Sequence, residues 1–212
     1  MKNIKQYLDL LMEEGLVVSY NLYQKAKSPI YHMTYGSGDA KEDTLFLCKG
    51  AAFKKDYLLE ALQRGAVAYV SEQYYGTEEE VPYIRVKSMR KAMPVLAKAF
   101  YGNPDEELFL TGVTGTKGKT TTVYYIRAIM DEYLRAKQEK ASGLISTIET
   151  CDGMSCEESK LTTPESPELF RHLKNAVDAG TSHMTMEVSS QALKYHRVRK
   201  IQFDAGAFLN IS

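Results

Sequence analysis

The chain has 212 residues, enough for one large domain or two small ones, and its 44% apolar and 25% charged content is that of an ordinary globular protein. Lys+Arg and Asp+Glu balance at 27 each, so no charge excess points to nucleic acid or an anionic membrane as a partner. No apolar run approaches the roughly 20 residues that span a bilayer, and the amphipathic amino terminus is not a signal peptide. Three cysteines without a Cys-x-x-Cys pair favour a reducing compartment over a disulfide framework, so we expect the cytoplasm.

Predicted helices and strands alternate through the first hundred residues. Apolar spacing at Ile4, Tyr7, Leu8 and Leu11 predicts a helix that stops at Gly15. Strands are predicted at 44–48, 66–70 and 81–86, and helices at about 56–64 and 88–100. This order favours an α/β layer. The turn-forming segment Tyr101-Gly-Asn-Pro-Asp105 is the best candidate for a domain boundary.

The second half continues in the same manner. Strands are predicted at 107–111, 144–148, 182–187 and 203–211, with a polar excursion between 148 and 159 and helices at 165–179 and from 121 to about 140. The long helix carries an apolar stripe that we expect to be core, formed by Val123, Ile126, Met130 and Tyr133. The final strand should lead into a loop at the carboxyl edge of a sheet, so we expect the chain to be a truncated piece of a longer protein.

A glycine-rich segment between a strand and a helix, Gly112-Val-Thr-Gly-Thr-Lys-Gly-Lys-Thr-Thr-Thr122, is the most informative stretch. Such a loop aims backbone N–H groups and a helix N-terminus at one point, which suits a polyphosphate. Lys119 would reach the terminal phosphates, and the Thr120 hydroxyl would bind Mg²⁺. Val113 stands where the common phosphate loop has glycine. The alternative is a glycine-rich turn with a chance lysine, which the strand–loop–helix context disfavours.

Three other positions are candidates with open alternatives. Glu187 closes a predicted strand and is either a Mg²⁺ ligand at the shared sheet edge or a surface glutamate near a helix start. Thr162 and Thr163 precede a helix, where capping explains one hydroxyl but not both. Arg197 lies in a basic segment and, taken alone, is best explained as a solvated turn residue.

Together these segments resemble the Mur ligases, and most closely the MurE type, which adds the third amino acid to UDP-N-acetylmuramoyl-dipeptide. The family loop G-x-x-G-T-x-G-K-T accounts for residues 112–120, including Val113. Leu161-Thr-Thr-Pro164 resembles its T-T-P segment, Met186-Glu-Val-Ser-Ser-Gln-Ala-Leu193 its M-E-V-S-S-H-x-L, and Phe208-Leu-Asn-Ile-Ser212 its F-T-N-L-S. Upstream, residues 43–50 and 65–70 fit the family's amino-terminal substrate domain.

The resemblance implies an α/β protein in which a small UDP-sugar-binding domain, residues 1–104, precedes a partial, mostly parallel-sheet P-loop ATPase domain, residues 105–212. It implies a monomeric ATP- and Mg²⁺-dependent ligase of peptidoglycan precursor synthesis. That enzyme would join a free amino acid, diaminopimelate or lysine, to UDP-N-acetylmuramoyl-dipeptide through an acyl phosphate. The alternatives are a sibling Mur-type or folylpolyglutamate-type ligase, and a non-catalytic P-loop nucleotide-binding module.

The resemblance also implies roles for individual residues. ATP would be bound by the loop residues Gly115, Thr116, Lys117, Gly118, Lys119, Thr120 and Thr121. Lys119 and Glu187 would be catalytic, with Thr120 and Glu187 positioning Mg²⁺. The nucleotide-sugar peptide would be held by Ser37, Thr162, Thr163, Ser189 and Arg197.

The sequence departs from the family pattern in three segments. The family's D-S-R near the uridine site reads Gly36-Ser37-Gly38, Lys117 replaces a usual Asn, and Tyr195 a common Gln. The chain also ends before the family's carbamylated lysine and amino-acid-selecting domain, so we expect it to be inactive alone.

Overall fold

The protein folds as two compact units, Met1–Phe100 and Tyr101–Ser212. A computed structural model describes residues 2–50, 52–77 and 80–211. The division falls beside the turn-forming segment 101–105. Within the described ranges, no helix combines the length and the apolar character needed to cross a membrane.

The first unit is a five-stranded sheet with three helices. Its elements are α1 (Ile4–Glu13), β1 (Val17–Asn21), β2 (His32–Thr34), β3 (Thr44–Leu47), α2 (Lys55–Gln63), β4 (Ala66–Ser71), β5 (Tyr83–Val86) and α3 (Met89–Phe100). The strand order is β1-β5-β4-β3-β2. All neighbouring strands are parallel except β1, which runs antiparallel to β5.

Alternation along β3 shows why this unit has helices on both faces. Leu45 and Leu47 belong to the core cluster that includes the buried residues of α1 and α3, whereas Phe46 packs with Leu58 of α2. A strand buried on both faces contains a continuous apolar run, and residues 45–47 of β3, Leu-Phe-Leu, form one. Helix α1 begins with a capping box between Asn3 and Gln6.

The second unit is built around a six-stranded sheet. Its elements are β6 (Phe109–Thr114), α4 (Lys119–Ala136), β7 (Gly143–Ile145), β8 (Glu149–Cys151), β9 (Cys156–Glu158), α5 (Ser166–Ala179), β10 (His183–Glu187), α6 (Ser190–Lys194) and β11 (Ala205–Phe208). The order is β11-β6-β10-β7-β8-β9. Strands β11, β6, β10 and β7 are parallel, and β8 and β9 extend the sheet as an antiparallel hairpin.

The parallel register brings several strand ends to one edge. Glu187 pairs with Val113, and Phe208 pairs with Thr114. Segments that follow β6, β10, β7 and β11 therefore start from neighbouring points of the carboxyl edge, where open α/β sheets bind ligands. The α/β class with mostly parallel sheets, predicted from the sequence, is confirmed.

Most predicted elements are confirmed, with ends shifted by a few residues, but some predictions are wrong. Strands β1 and β2 were not predicted, and the polar excursion after residue 148 contains the hairpin β8–β9. Helix α4 ends at Ala136. Tyr133 is 48% exposed, and the neighbouring Leu134 is the buried residue of that turn. Aromatic and aliphatic residues share the helical stripe, so spacing alone did not tell which of them faces the sheet.

The expectation that the cysteines form no disulfide is wrong for two of the three. Cys151 and Cys156 form a disulfide, and Cys48 is a free, buried thiol. The missed hairpin is the reason, because it sets Cys151 opposite Cys156 in the β8–β9 register.

Candidate functional site

The glycine loop connects the end of β6 to the start of α4. Gly115 and Gly118 have φ values of 144° and 85°, a region that L side chains rarely adopt. Gly118 is the N-cap of the 18-residue helix α4 and offers no side chain to its first turn. The first-turn amides therefore have no capping side chain, and the loop with the helix N-terminus forms a nest for an anion.

Lys119 folds back over this loop. Its Nζ donates a hydrogen bond to the Gly115 carbonyl at 2.8 Å and lies 3.5 Å from the Thr116 carbonyl. The ammonium group is thus held at the loop by backbone oxygens that a phosphate can replace. Thr120 and Thr121 lie in the first turn of α4, half-buried and exposed respectively. The structure therefore brings together all seven predicted loop residues.

Asn210 follows β11, the strand next to β6, and its side chain forms hydrogen bonds with the backbone of the glycine loop. Its Oδ1 accepts hydrogen bonds from the N–H groups of Thr116 and Lys117, both at 3.1 Å. Its Nδ2 donates to the Lys117 carbonyl at 3.1 Å. Sequence reasoning gave Asn210 no role, although it lies in the quoted segment Phe208–Ser212, whose last residue is outside the described ranges. An amide that follows a strand next to the phosphate-loop strand was the available signal.

Glu187 is buried, with 1% of its surface exposed, so the alternative of a surface glutamate is wrong. Its Oε1 accepts from the Thr147 N–H at 2.8 Å, and its Oε2 accepts from the Thr147 hydroxyl at 3.3 Å. Thr147 follows β7 and Glu187 is the last residue of β10, so the carboxyl ends of two neighbouring strands meet here. A buried carboxylate held this way at the sheet edge is a suitable ligand for a hard divalent cation.

The two threonines have different environments. Thr163 is fully buried and its hydroxyl donates to the Glu187 carbonyl at 2.8 Å while accepting from the Ser189 N–H at 3.0 Å. Thr162 is half-buried, and its hydroxyl lies within hydrogen-bond distance, 3.0 Å, of the Thr147 hydroxyl. Ser189 caps α6 through the Ala192 N–H. Thr163 is therefore a positioning residue, and Thr162 remains at the surface of the cluster.

Arg197 is not a solvated turn residue. Its side chain is 11% exposed and forms an ion pair with Glu165 at 2.7 Å. It also donates to the Thr163 carbonyl at 3.1 Å, while its buried Nε has no partner among the described residues. The solvated alternative was wrong because Glu165, distant in sequence, folds against the same segment.

Ser37 lies in the first unit, on a short 3-10 turn from Ser37 to Asp39. Its hydroxyl hydrogen-bonds to Glu60, and this bond is the main reason that the pKa of Glu60 is lowered. At Gly38, where the family pattern has Arg, an added Cβ would meet open space.

A parallel sheet, a glycine loop with a folded-back lysine and a buried carboxylate on the adjacent strand define an α/β domain of the phosphate-loop class. Residues 113–212 match the Mur ligase middle domain. The chain is 43% identical, over 100% of its length, to the UDP-N-acetylmuramoyl-L-alanyl-D-glutamate–L-lysine ligase of Streptococcus pneumoniae serotype 2, and covers 44% of that relative. It is 41% identical over 96% of its length to the UDP-N-acetylmuramyl-tripeptide synthetase of Lactobacillus delbrueckii subsp. bulgaricus, and covers 39% of it.

Solved structures show the same fold. A UDP-N-acetylmuramoyl-L-alanyl-D-glutamate–2,6-diaminopimelate ligase superposes with a TM-score of 0.72 at 20% identity, over 90% of this chain and 38% of that one. A MurF ligase from Thermotoga maritima in complex with ADP gives a TM-score of 0.53 at 23% identity, over 84% of this chain and 37% of that one. Residues 113–212 thus match the middle domain of the Mur ligases, and the chain is similar to ligases of that family over nearly its whole length. It spans about two fifths of the length of the curated relatives it matches.

Proposed function

We propose that this chain takes part in an ATP-dependent ligation that joins the third amino acid to UDP-N-acetylmuramoyl-dipeptide in peptidoglycan precursor synthesis. The observation that carries the proposal is the pairing of the Lys119-covered glycine loop with buried Glu187 on the adjacent strand. The relatives named as a tripeptide synthetase and a lysine ligase support this step, and the second name makes L-lysine the first amino acid to test.

The loop is assigned to ATP. The N–H groups at the start of α4, with those of the loop that do not donate to Asn210, would surround the terminal phosphates, and Lys119 would exchange its carbonyl partners for phosphate oxygens. The MurF ligase from Thermotoga maritima, which shares this fold, was solved in complex with ADP, and this supports an adenine nucleotide as the ligand. Asn210 would hold the loop in shape before the nucleotide arrives, which lowers the ordering cost of binding.

The donor set fits Mg²⁺. The Thr120 hydroxyl and the Glu187 carboxylate are oxygen ligands, and Glu187 is a buried acid without an ion pair among the described residues. A bound Mg²⁺ would neutralise charge on the transferring phosphate. Thr147 would keep the Glu187 carboxylate oriented through its two hydrogen bonds.

The chemistry requires activation of an unreactive acid. A carboxylate is a poor acyl donor because oxide would be its leaving group, and transfer of the ATP γ-phosphoryl group converts it into an acyl phosphate. The amino group of the incoming residue then attacks, and phosphate leaves from the tetrahedral intermediate. We assign to Lys119 and the loop amides the neutralisation and positioning of the phosphates.

The muramoyl-peptide substrate is assigned to the side chains around Glu187, which are Thr162, Thr163, Ser189 and Arg197. Thr162 and Ser189 offer hydroxyls at its surface, and Thr163 and Arg197 hold the segment that carries them. Ser37, in the other unit, is proposed to contact the uridine diphosphate. We further propose that the chain is monomeric and acts in the cytoplasm, where ATP is supplied.

Binding of both substrates tests this assignment. In calorimetric titrations with Mg²⁺, we expect ADP to bind the wild type and to lose at least tenfold in affinity to Lys119→Ala, with an unchanged melting temperature. Lys137→Ala, an exposed lysine at the far end of α4, is the matched control and should bind normally. UDP-N-acetylmuramoyl-dipeptide should bind, and a folate should not. Folate binding would indicate a folylpolyglutamate-type ligase instead. Binding of the nucleotide without either substrate would favour a non-catalytic nucleotide-binding module.

A further inference from the structure

Cys151 and Cys156 form a disulfide across the β8–β9 hairpin. They face each other in the strand register, are five residues apart in sequence, and their Cα atoms are 4.0 Å apart. Neither residue belongs to the proposed nucleotide site, so what they do is independent of the proposed function.

The hairpin is anchored without this bond. Asp152, at its turn, is fully buried, and its Oδ1 accepts from the N–H groups of Met154 and Ser155. Its Oδ2 accepts from His172 and Asn175 of α5, at 2.8 and 2.7 Å. A disulfide that closes so short a loop also constrains the unfolded chain least. The Cys151–Cys156 disulfide is therefore not required to stabilise the fold.

The two sulfur atoms have different surroundings. Cys156 is exposed and its Sγ lies 3.4 Å from a Glu149 carboxylate oxygen, whereas Cys151 is 6% exposed. The Arg127 guanidinium lies 3.7 Å from the Cys151 Sγ and also pairs with Glu149 at 3.2 Å. A negative charge on Cys151 is thus stabilised by Arg127, while only Cys156 is open to a reagent from solvent.

We propose that Cys151 and Cys156 form a reversible thiol–disulfide exchange site for low-molecular-weight thiols and disulfides. The Sγ atoms and a Glu149 oxygen lie within 4.8 Å of one another, as metal ligands would, but the Arg127 cation opposes a metal ion there. Exchange chemistry uses the same cation, because a stabilised thiolate is the better leaving group.

Reduction begins when an external thiolate attacks the exposed Cys156 sulfur. The bond between the two cysteines breaks, and Cys151 leaves as a thiolate beside Arg127. A second external thiolate attacks the external sulfur of the mixed disulfide, so Cys156 is released and takes a proton. One protein disulfide is reduced to two thiols, and two external thiols are oxidised to one disulfide. Oxidation by a low-molecular-weight disulfide follows the same steps in reverse.

Cys48 provides an internal contrast. It is a free thiol in the first unit, 5% exposed, and burial raises its pKa. A thiol in that environment is unreactive. Cys48→Ala therefore serves as a background that leaves only the hairpin pair to react.

The test is glutathione exchange on the reduced chain, followed by mass spectrometry and peptide mapping. In the Cys48→Ala background, we expect oxidised glutathione to convert residues 151 and 156 into the internal disulfide without a lasting adduct. Cys151→Ser should accumulate one glutathione adduct on Cys156, and Cys156→Ser should form an adduct at least tenfold more slowly. Equal adduct rates in the two variants, or a stable adduct on the unsubstituted pair, would overturn the proposal.

The role of Arg127 is tested by reduction rates. Arg127→Gln should slow reduction of the disulfide by glutathione at least threefold, and Arg127→Lys should restore part of the rate. Arg135→Gln, an exposed arginine on the same helix, is the matched control and should reduce at the wild-type rate. Melting temperatures verify folding of each variant. An unchanged reduction rate in a folded Arg127→Gln variant would contradict the proposal that Arg127 stabilises the Cys151 thiolate.

Discussion

Among the described residues, the buried Glu187 side chain accepts two hydrogen bonds, both from Thr147. Glu187→Gln keeps the shape of the side chain and the acceptor for the Thr147 N–H. Its new amide N–H₂ faces the Thr147 hydroxyl, which is able to accept. A hydrogen bond to a charged group contributes about 1.5–3 kcal/mol and a neutral one about 0.5–1.5 kcal/mol, so each weakened contact costs about 1–1.5 kcal/mol, or about 2–3 kcal/mol for the two.

Removal of the buried charge offsets that loss. Desolvation of an ion costs several kcal/mol, so we expect the free energy of unfolding of Glu187→Gln to stay within about 1 kcal/mol of the wild type or to exceed it. The affinity for ADP, unlike the stability, should fall clearly in this variant. Loss of a charged Mg²⁺ ligand should reduce ADP affinity in Mg²⁺ at least tenfold, which corresponds to about 1.4 kcal/mol, and should leave ADP affinity in EDTA unchanged.

The assay is calorimetric titration of ADP with Mg²⁺ and with EDTA, together with urea unfolding. Glu158→Gln, an exposed glutamate on β9, is the control and should match the wild type in all three measurements. An equal loss of affinity in EDTA would refute the metal-binding role of Glu187. A loss of more than about 2 kcal/mol in stability would show that its carboxylate is mainly structural.

Three further outcomes follow from single contacts. Asn210→Ala removes three hydrogen bonds to residues 116 and 117, so ADP affinity should fall about tenfold at roughly 0.5 kcal/mol each, with unchanged circular dichroism; an unchanged affinity would show that the loop holds its shape without these hydrogen bonds. Gly38→Arg enters open space and should raise UDP affinity in titrations without lowering the melting temperature, whereas in Gly65→Ala the added Cβ lies 2.8 Å from the Glu42 backbone nitrogen and should lower it; equal melting of the two variants would contradict this. Burial raises the pKa of Asp152, but hydrogen bonds from His172, Asn175 and two backbone amides outweigh burial and lower that pKa below its ordinary value. A lowered folded pKa gives stability above the unfolded pKa that is lost as pH falls through the folded one, so Asp152→Asn should destabilise by about 1–3 kcal/mol in urea at neutral pH and approach the wild type in strong acid; a pH-independent difference would refute the linkage.

Local patterns predicted the parts of the fold that depend on local physics. The glycine loop is recognisable because positive φ values and an uncapped helix start require glycine at Gly115 and Gly118. Helix α1 follows from apolar spacing, and α5 from its stop at Gly180, which has a φ of 76°. These signals lie within a few residues of the structure they specify.

Long-range contacts explain what the sequence did not show. Asn210 meets a loop more than ninety residues away, with separations of 93 and 94 to its partners. Arg197 is half-buried and forms an ion pair with Glu165, which lies in a different segment of the chain. The β8–β9 strands are three residues each, too short for an alternation pattern to show. Such features depend on the assembled sheet and not on the neighbouring sequence.

The central claim is that the loop between β6 and α4 cradles terminal phosphates of a nucleotide. Amide NMR of the labelled chain tests it most directly, by titration with ADP and with adenosine in the presence of Mg²⁺. We expect ADP to shift the N–H signals of residues 115–121 strongly and adenosine to shift them little. If millimolar ADP leaves these seven signals in place on folded protein, the account is contradicted.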